Sequence, residues 1–321
     1  MFKSESSDAK KLHDQRQFSY DRIAEYRSQF IDPESGLHKE CYLRKRVCPV
    51  CGSENHATVF VKSGGTTVKC LDCSMIFLNP VFTDQALEEY YTNLNTGQAQ
   101  IVEGESDFYR EIYLSGLALI EKYVAAGSIF DIGCSSGFFL ELCKERDWKA
   151  SGLELGREEA ALAVAKGFNI TTVPVEKMDS GSRFNAITLW DVFEHICDGA
   201  QFVQTLKNLL EPKGVIFLQI PNAESLAARV MREDCNMHDC LEHVNLYGPS
   251  TIKQLLNSNG FQILEMRTVI SELAVVNNYV NYEDPYTGKV PFEGSVLGVF
   301  NDQTIHEQLL GYKMQLVFQV G

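Results

Sequence analysis

The stretch IFDIGCSSGFFL, residues 129–140, joins an apolar run to an acidic residue, a short loop with two glycines and the start of an apolar helix. A chain that turns this sharply from strand to helix needs small residues. Gly133 and Gly137 supply a positive φ or a close backbone approach without the cost of a Cβ. Because the following helix presents unpaired N–H groups at its start, we expect a polar, extended ligand to lie across this loop.

Outward from this loop, apolar runs alternate with helical patterns. We predict strands over residues 128–132, 149–155, 168–173, 185–190, 214–220, 261–269 and 314–320. We predict helices over residues 137–146, 157–166, 199–210 and 250–259. The alternation predicts an α/β fold with a doubly wound, mostly parallel sheet. On such sheets ligands bind beyond the carboxyl ends of the strands, which is where the loop lies.

Acidic residues end two further predicted strands. Glu154 ends the second, about twenty residues after the loop, where an acidic side chain can bind ribose hydroxyls. Asp191 ends the fourth strand and faces the same crevice. A nicotinamide-binding loop would have the spacing G-x-G-x-x-G, but the spacing here is Gly133-x-x-x-Gly137. Asp131, two residues before the first glycine, is badly placed for a pyrophosphate and suits a positively charged, nucleoside-like ligand.

Four segments follow one another along the chain: DIGCSSG at 131–137, SGLE at 151–154, FNAITLWDVFEHI at 184–196 and LLEPKGVIF at 209–217. Over residues 128–270 the chain resembles the class I S-adenosylmethionine-dependent methyltransferases. The first motif of that family has the form D-x-G-x-x-x-G, and Ser135 stands where a glycine is most common in it. The resemblance implies a Rossmann-like sheet of seven strands, whose last strand inserts antiparallel between the fifth and the sixth.

The resemblance also implies a set of cofactor-binding residues near the carboxyl ends of the first four strands: Asp131, Gly133, Cys134, Ser135, Gly137, Phe138, Glu154, Val175, Glu176, Trp190 and Asp191. The glycine loop would hold the methionine part of S-adenosylmethionine, and Glu154 would bind the ribose hydroxyls. Val175 and Glu176 would lie beside the adenine, and Trp190 and Asp191 would flank the cofactor. Two alternatives stay open: the glycines serve only helix–strand packing, and Trp190 belongs to the core.

Two C-x-x-C pairs precede this region, with eighteen residues between them. The spacing is within the range of a four-cysteine zinc site, formed here by Cys48, Cys51, Cys70 and Cys73. Four thiolates leave no open coordination position, so the zinc would be structural. The alternative is four unrelated buried thiols, which the paired spacing disfavours. We expect a small zinc ribbon with a hairpin between the pairs, serving as a folding unit or a docking surface.

Two further stretches carry candidates for substrate chemistry. Methyl transfer is an in-line displacement that needs an electron-rich nucleophile at close range, and a base assists when the acceptor is a hydroxyl or an acidic C–H. His195 follows the fourth strand, and Glu242 and His243 form a pair in the loop after the fifth. A glutamate beside a histidine can raise its basicity or hold its tautomer. A structural role is the alternative for each histidine.

The segment HVNLYGPSTI at 243–252 resembles a loop and helix start of zinc-ribbon methyltransferases in sugar and surface-polysaccharide pathways. The Glu242–His243 pair is also similar to the acid–base pair of deoxysugar C-methyltransferases, which carry an N-terminal four-cysteine zinc module. This resemblance implies C- or O-methylation of a sugar or nucleotide-sugar. Two alternatives remain: a methyltransferase for a phenolic or quinone-type metabolite, and a non-catalytic cofactor-binding scaffold with a zinc-ribbon interaction module.

Four segments are expected along the chain: an N-terminal tail and helix at 1–47, the zinc ribbon at 48–80, linking helices at 81–127, and the S-adenosylmethionine-binding domain at 128–321. Within the last segment, residues 271–311 are expected to form an insertion or a lid.

Composition narrows the partners. The formal net charge is −14, from 29 basic and 43 acidic residues, whereas a non-specific nucleic-acid surface needs a basic footprint. We therefore expect a small-molecule acceptor and no nucleic acid. No apolar run reaches the length of a membrane span, and the N-terminus lacks the apolar region of a secretory signal. Ten cysteines in such a chain indicate thiols or metal ligands, so we expect a cytoplasmic location, with the oligomeric state open.

Overall fold

The computed structural model describes residues 25–93, 106–178 and 181–321. Residues 1–24 of the predicted tail and helix, and residues 94–105 of the predicted linking segment, lie outside this description. Two compact units are present. The first contains the described residues of Met1–Gly97 with Pro221–Ile252 and Thr268–Lys313, and the second contains the described residues of Gln98–Ile220 with Lys253–Arg267 and Met314–Gly321.

The strands, in chain order, are β1 (Leu43–Arg44), β2 (His56–Lys62), β3 (Gly65–Cys70), β4 (Ile76–Leu78), β5 (Val81–Phe82), β6 (Ser128–Ile132), β7 (Lys149–Leu153), β8 (Asn169–Thr171), β9 (Phe184–Trp190), β10 (Leu210–Pro221), β11 (Asn245–Leu246), β12 (Phe261–Val269) and β13 (Lys313–Val320). The main helices are α1 (Asp84–Asn93), α2 (Ser106–Ile120), α3 (Phe138–Glu145), α4 (Arg157–Ala165), α5 (Gly199–Lys207), α6 (Leu226–Met231), α7 (Pro249–Ser258), α8 (Leu273–Val280) and α9 (Asp302–Glu307). No helix in the described residues combines the length and the apolar character needed to cross a bilayer.

The second unit is built on a seven-stranded sheet whose strands lie in the order β12-β13-β10-β9-β6-β7-β8. The pairs β6–β7, β7–β8, β6–β9 and β9–β10 are parallel. After β6 the chain builds the β7–β8 side of the sheet and then returns to build the other side, so the carboxyl end of β6 is a topological switch point. The predicted α/β fold, a doubly wound and mostly parallel sheet of seven strands, is confirmed, and β13 lies between β10 and β12 as expected.

The central strands are largely apolar because parallel strands in such a sheet are covered on both faces. Every residue of β9 from Ala186 to Trp190 is buried, as is every residue of β6 from Ile129 to Ile132. Asp131 and Thr188 are the buried polar exceptions, and the Thr188 hydroxyl donates to Oδ1 of Asp131 at 2.6 Å. The only buried acid of these two strands therefore lies at the end of the sheet where the glycine loop begins.

Helix α2 packs on this sheet through a glycine. A Cβ at Gly116 would lie 2.3 Å from Cη2 of Trp190 on β9 and 2.9 Å from Cζ of Phe217 on β10. Nearly one turn earlier, the ring of Tyr113 contacts the Trp190 ring edge-to-face, with 4.7 Å between the centroids. Gly116 therefore allows the helix backbone to approach the sheet closely enough for these aromatic side chains to interlock.

The first unit contains a four-stranded antiparallel sheet in the order β11-β4-β3-β2. Strands β2 and β3 form the hairpin of the predicted ribbon. The strand at the other edge, β11, comes from far along the chain. Arg46 holds this distant segment, because its Nη2 donates to the carbonyl of Val244 at 2.6 Å and to Oδ1 of Asn245 at 2.8 Å.

The boundaries of the two units differ from the predicted segments. The sequence pattern assigns residues 221–252 and 268–313 to a domain spanning 128–321, whereas in the structure they belong to the unit that contains the ribbon. Helices α6 and α8 share a hydrophobic cluster there that includes Ala227 and Val276. The segment predicted as an insertion or lid thus contributes to a core. Contacts between segments this far apart in the sequence leave no local pattern, so the boundaries of the two units could not be predicted from the sequence.

Replacing Gly116 with alanine tests the close packing of α2 on the sheet. In an exposed helix this change stabilises by about 1 kcal/mol, because glycine has more backbone freedom to lose. Here we expect the opposite sign, since the added Cβ meets two buried rings and overpacking costs about 1–3 kcal/mol. The midpoint of thermal unfolding should fall. Gly298→Ala is the control, because a Cβ there would have no heavy atom of the described residues within 4 Å. A rise in the midpoint for Gly116→Ala would contradict the packing described.

Candidate functional site

The glycine loop after β6 has the backbone geometry that its sequence predicts. Gly133, Ser135 and Gly137 have φ values of +77°, +47° and +81°. The N–H groups of Gly133 and Cys134 both donate to the carbonyl of Leu153 at the end of β7, at 2.8 and 3.1 Å. Ser135 is the one non-glycine residue of the three in the left-handed region, where a glycine is adopted more easily. This explains why a glycine is common at that position of the resembled motif.

Glu154 ties two loops together at the carboxyl end of β7. Its Oε2 accepts from the N–H of Ser135 at 2.9 Å, and its Oε1 accepts from the N–H of Gly156 at 2.7 Å. Burial raises the pKa of Glu154, and these two N–H groups oppose that rise. Each carboxylate oxygen keeps a second lone pair that can accept from a ligand hydroxyl. The residue predicted to bind ribose therefore also fixes the shape of the glycine loop.

Asp131 is 2% exposed and lies at the switch point of the sheet. Burial raises the pKa of its carboxyl to about 8, and the hydrogen bond from Thr188 only partly offsets this. A positive charge placed nearby would favour the ionised form. The site thus contains an acid whose charge state responds to a cationic ligand.

The loop also carries hydroxyl groups that are not satisfied by the protein. Oγ of Ser135 and Oγ of Ser136 are buried and have no hydrogen-bond partner among the described residues. Buried polar atoms are nearly always paired in native proteins. Gly133 adds a steric requirement, because a Cβ there would lie 2.6 Å from Cγ2 of Val192. These features fit a polar ligand such as S-adenosylmethionine, whose atoms would complete the bonding of the loop.

Asp191 and Trp190, at the end of β9, have different surroundings. Asp191 has a φ of +54°, and Gln219 holds it twice. The Asp191 N–H donates to the Gln219 carbonyl at 2.8 Å, and Nε2 of Gln219 donates to Oδ2 of Asp191 at 3.0 Å. Trp190 is 8% exposed and packs among the rings of Tyr113, Phe139 and Phe217. Trp190 therefore packs as a core residue, which was one of the two alternatives left open by the sequence.

The remaining predicted cofactor-binding residues lie around the same edge of the sheet. Val175 is buried and Glu176 is exposed in a 3₁₀ turn, Val175–Lys177, that follows β8. Phe138 begins α3, and its ring centroid lies 6.0 Å from that of Tyr113. His195, which is a predicted candidate for the base and not a cofactor-binding residue, lies in another 3₁₀ turn, Phe193–His195, that follows the end of β9.

The predicted acid–base pair lies in the first unit, where Glu242 is bound by residues from the N-terminal part of the chain. Nη2 of Arg27 donates to Oε1 of Glu242 at 2.7 Å and to Oδ2 of Asp239 at 3.0 Å. The hydroxyl of Tyr90 donates to the same Glu242 oxygen at 2.5 Å. Glu242 therefore forms a partly buried ion pair with Arg27.

Asp239 organises the loop that carries His243. Its carboxylate accepts from the N–H groups of Leu241, Glu242 and His243 at 3.0–3.1 Å. Burial alone would raise the pKa of Asp239, but the charges of His243 and Arg27 and the N–H groups outweigh it and hold the pKa well below its usual range. Nδ1 of His243 lies 2.7 Å from the carbonyl of Met237. Since a carbonyl only accepts, Nδ1 carries the proton and Nε2 is the basic nitrogen of the neutral ring.

The four predicted metal ligands come together at one end of the ribbon. Sγ of Cys48 lies 3.4 Å from Sγ of Cys73, Sγ of Cys51 lies 3.6 Å from Sγ of Cys70, and all four are within 4.8 Å of one another. A tetrahedral zinc ion with Zn–S bonds of about 2.3 Å holds its sulfurs about 3.8 Å apart. The cluster is compatible with zinc. All ten cysteines lie in the described residues, and they form no disulfide.

Sequence reasoning missed several residues that shape these sites, namely Arg27, Thr188, Gln219 and Asp239. Arg27, Thr188 and Gln219 each bond to a residue that is 28 to 215 positions away in the sequence, whereas Asp239 also bonds to N–H groups of its own loop. Only the Asp239 loop has a local sequence signal. An aspartate whose carboxylate accepts hydrogen bonds from N–H groups two to four residues later is typical of turns capped by a side chain.

A family model described as "Methyltransferase domain" matches residues 108–266 of the chain. Among curated proteins, the chain is similar to the ubiquinone biosynthesis O-methyltransferases of Pseudomonas aeruginosa (strain UCBPP-PA14) and Acinetobacter baumannii (strain AYE), with 28% identity over 109 residues and 26% over 110. Each match covers 31% of this chain and 46% of the relative. The chain thus spans about half the length of the curated relatives it matches.

Among solved structures, the fold is similar to that of the plantazolicin methyltransferase BpumL in complex with SAH. The TM-score is 0.50 at 14% identity, covering 73% of this chain and 93% of that one. A second structure of BpumL, with SAH and a monoazolic desmethylPZN analog, gives the same TM-score at 17% identity. Residues 108–266 therefore match the family model of a methyltransferase domain, and the seven-stranded sheet has the Rossmann-like fold of S-adenosylmethionine-dependent methyltransferases.

Proposed function

We propose that this protein transfers a methyl group from S-adenosylmethionine to a small-molecule acceptor. The observation that carries the proposal is the loop at residues 133–137, which contains two buried serine hydroxyls without a hydrogen-bond partner among the described residues. The buried acid Asp131 precedes this loop in the sequence, and the carboxylate of Glu154 accepts a hydrogen bond from it. The cofactor supplies an electrophilic methyl group on a sulfonium. The protein's task is to bind and orient it, and to present a nucleophile in line with the methyl group.

The predicted residues divide the binding of the cofactor among them. The glycine loop, with Cys134, Ser135 and the following Phe138, receives the methionine part, and Glu154 accepts from the ribose hydroxyls. Val175 and Glu176 would lie beside the adenine. Asp191 lies at the end of the sheet that would face the cationic ligand, and the positive charge of the ligand would favour the ionised form of Asp131.

We further propose that the acceptor is a sugar or a nucleotide-sugar, methylated on oxygen or carbon, with His243 as the general base. The tautomer of His243 supports this, because Nε2 is the nitrogen able to take a proton from a hydroxyl or an acidic C–H. The hydrogen bonds from Arg27 and Tyr90 hold the carboxylate of Glu242, the residue before His243, in one position. His195 is the second candidate for the base.

A phenolic or quinone-type acceptor is the second candidate function. The names of the curated relatives, ubiquinone biosynthesis O-methyltransferases, favour it, and a phenol also needs a base to release its proton. A cofactor-binding scaffold without catalysis would bind S-adenosylmethionine and form no product with any acceptor. The net charge of −14 supports a small-molecule acceptor rather than nucleic acid, and ten cysteines without a disulfide support a cytoplasmic location.

We propose that Cys48, Cys51, Cys70 and Cys73 bind a structural zinc ion. The geometry of the four sulfurs supports it, since their separations are close to those of a tetrahedral thiolate site. A fully cysteine-coordinated ion has no open position for substrate, so its contribution is to the folding of the ribbon.

Glu154→Ala tests the cofactor site. The variant removes a carboxylate that holds the loop and would accept from the ribose, so we expect S-adenosylmethionine affinity to fall by about 10- to 100-fold, the scale of one or two charge-assisted hydrogen bonds. Isothermal titration calorimetry measures it. Glu158→Ala, an exposed glutamate in the first turn of α4, is the matched control and should bind normally. Unchanged affinity in Glu154→Ala would move the ribose contact elsewhere, and no binding by the wild type would contradict the proposed function.

Chelation tests the zinc proposal. We expect a strong chelator to remove about one zinc ion per chain and to unfold the ribbon, because metal binding and folding are coupled at such sites. Metal analysis and a thermal unfolding curve record both effects. Cys51→Ser should reproduce the loss, whereas Cys41→Ser, an exposed cysteine outside the cluster, should retain the metal. A metal-free wild-type protein with an unchanged unfolding curve would disprove a structural zinc.

His243→Asn tests the base. Asparagine can still donate to the Met237 carbonyl but cannot take a proton, so we expect turnover to fall by about 10²- to 10⁴-fold with cofactor affinity retained. Product mass, read across nucleotide-sugars, phenols and small acids, identifies the acceptor at the same time. His195→Asn is run in parallel. Equal turnover in His243→Asn and the wild type would remove His243 from the chemistry.

A further inference from the structure

Four side chains form a continuous hydrogen-bonded row across neighbouring strands of the second unit: Arg267 on β12, Gln315 on β13, Gln219 on β10, and Asp191 after β9. Nε and Nη2 of Arg267 donate to Oε1 of Gln315 at 2.9 and 2.7 Å. Nε2 of Gln315 donates to Oε1 of Gln219 at 2.9 Å, and Nε2 of Gln219 donates to Oδ2 of Asp191 at 3.0 Å. Gln315 is completely buried, and Gln219 is 4% exposed. We name this set the polar row.

The direction of the polar row follows from its first member. A guanidinium has donors and no acceptor, so Gln315 must present its carbonyl oxygen to Arg267 and its amide hydrogens to the next strand. Gln219 must then accept from Gln315 and donate to Asp191. Each amide orientation is thus set by the one before it, and the last member is required to be an acceptor. The carboxylate of Asp191 meets this requirement.

Arg267 is itself fixed at the start of the polar row. Its Nη2 donates to the carbonyl oxygen and to Oγ of Ser115 on helix α2, at 3.0 and 2.8 Å. Burial lowers the pKa of Arg267 and the charge of Glu265 opposes this, but a guanidinium stays protonated throughout the physiological range. Glu265, two residues away on the same strand, pairs instead with Lys122 at 3.0 Å. The polar row connects this partly buried charge to Asp191.

We propose that Arg267, Gln315 and Gln219 are positioning residues that hold the carboxylate of Asp191 as an acceptor facing the cationic cofactor. The inference rests on the proposed function, which gives Asp191 its place beside the cofactor. Gln219 fixes Asp191 through both its backbone and its side chain, which sustains the left-handed backbone at that residue. The ordinary alternative is that the polar row only satisfies buried polar atoms and has no effect on binding.

Gln315→Glu separates these two readings. The glutamate has the volume of the glutamine and pairs well with Arg267, so the structural alternative expects little change in any property. It cannot donate to Gln219, however, so the Gln219 amide must turn round and present its oxygen to Asp191. We expect the midpoint of thermal unfolding to be nearly kept while S-adenosylmethionine affinity, measured by titration calorimetry, falls by about tenfold, the scale of one charge-assisted hydrogen bond.

Further variants sharpen the test. In an Asp191→Asn background, Gln315→Glu should have almost no additional effect, because the introduced asparagine amide can donate to the turned Gln219 and the row can run in reverse. The pair forms a double-mutant cycle. Arg267→Lys, a donor-only cation, should bind nearly as well as the wild type, whereas Arg267→Met should lose about as much as Gln315→Glu. Glu265→Gln, on the same strand but outside the polar row, is the control and should bind normally.

The outcomes are distinguishable. Wild-type affinity in Gln315→Glu, additive losses in the cycle, or equal losses in Arg267→Lys and Arg267→Met would each overturn the positioning role. Each of these results is measured against a wild type that binds S-adenosylmethionine. A wild type that does not bind it contradicts the proposed function itself, which distinguishes that failure from a failure of the positioning role alone.

Discussion

The carboxylate of Glu154 is the interaction on which the candidate cofactor site depends. It accepts one N–H from the glycine loop after β6 and one from the turn before α4, so two loops that end neighbouring parallel strands share a single anion. Burial works against this charge, and the two N–H groups offset part of the cost. The loop could otherwise relax, since Gly133 and Gly137 give it little conformational preference. One side chain thus both shapes the loop and offers acceptors to a ligand.

The second unit has few polar side chains in its apolar sheet, and the two aspartates near the carboxyl ends of β6 and β9 each have a hydrogen-bond partner. Asp131 is bonded by Thr188 from the adjacent strand, and Asp191 is bonded by Gln219 at the end of the polar row. Buried polar groups are costly unless they are paired, and a chain of paired groups specifies one arrangement. The sheet end that could receive a cationic ligand is therefore the end that carries these two acids, the buried Asp131 and the partly buried Asp191.

The first unit shows how far local patterns reach. Two C-x-x-C pairs predicted the cysteine cluster, because a knuckle brings its two sulfurs together within one turn. The Glu242–His243 pair was also visible, but its partners were not. Arg27 and Tyr90 lie 215 and 152 positions before Glu242, and no spacing rule links them. The same limit hid the pairing of β11 with β4 and the grouping of residues 221–252 with the unit that contains the ribbon.

The sequence by itself determined the fold class, the glycine loop with its acids, and the four clustered cysteines. These features depend on periodicity and short spacings, which are local properties. Only the tertiary structure decided that Trp190 packs in an aromatic cluster under Gly116, that Glu154 shapes the loop, and that Arg267 connects to Asp191. Those contacts join side chains from distant strands and helices, and their existence depends on which elements the sheet brings together.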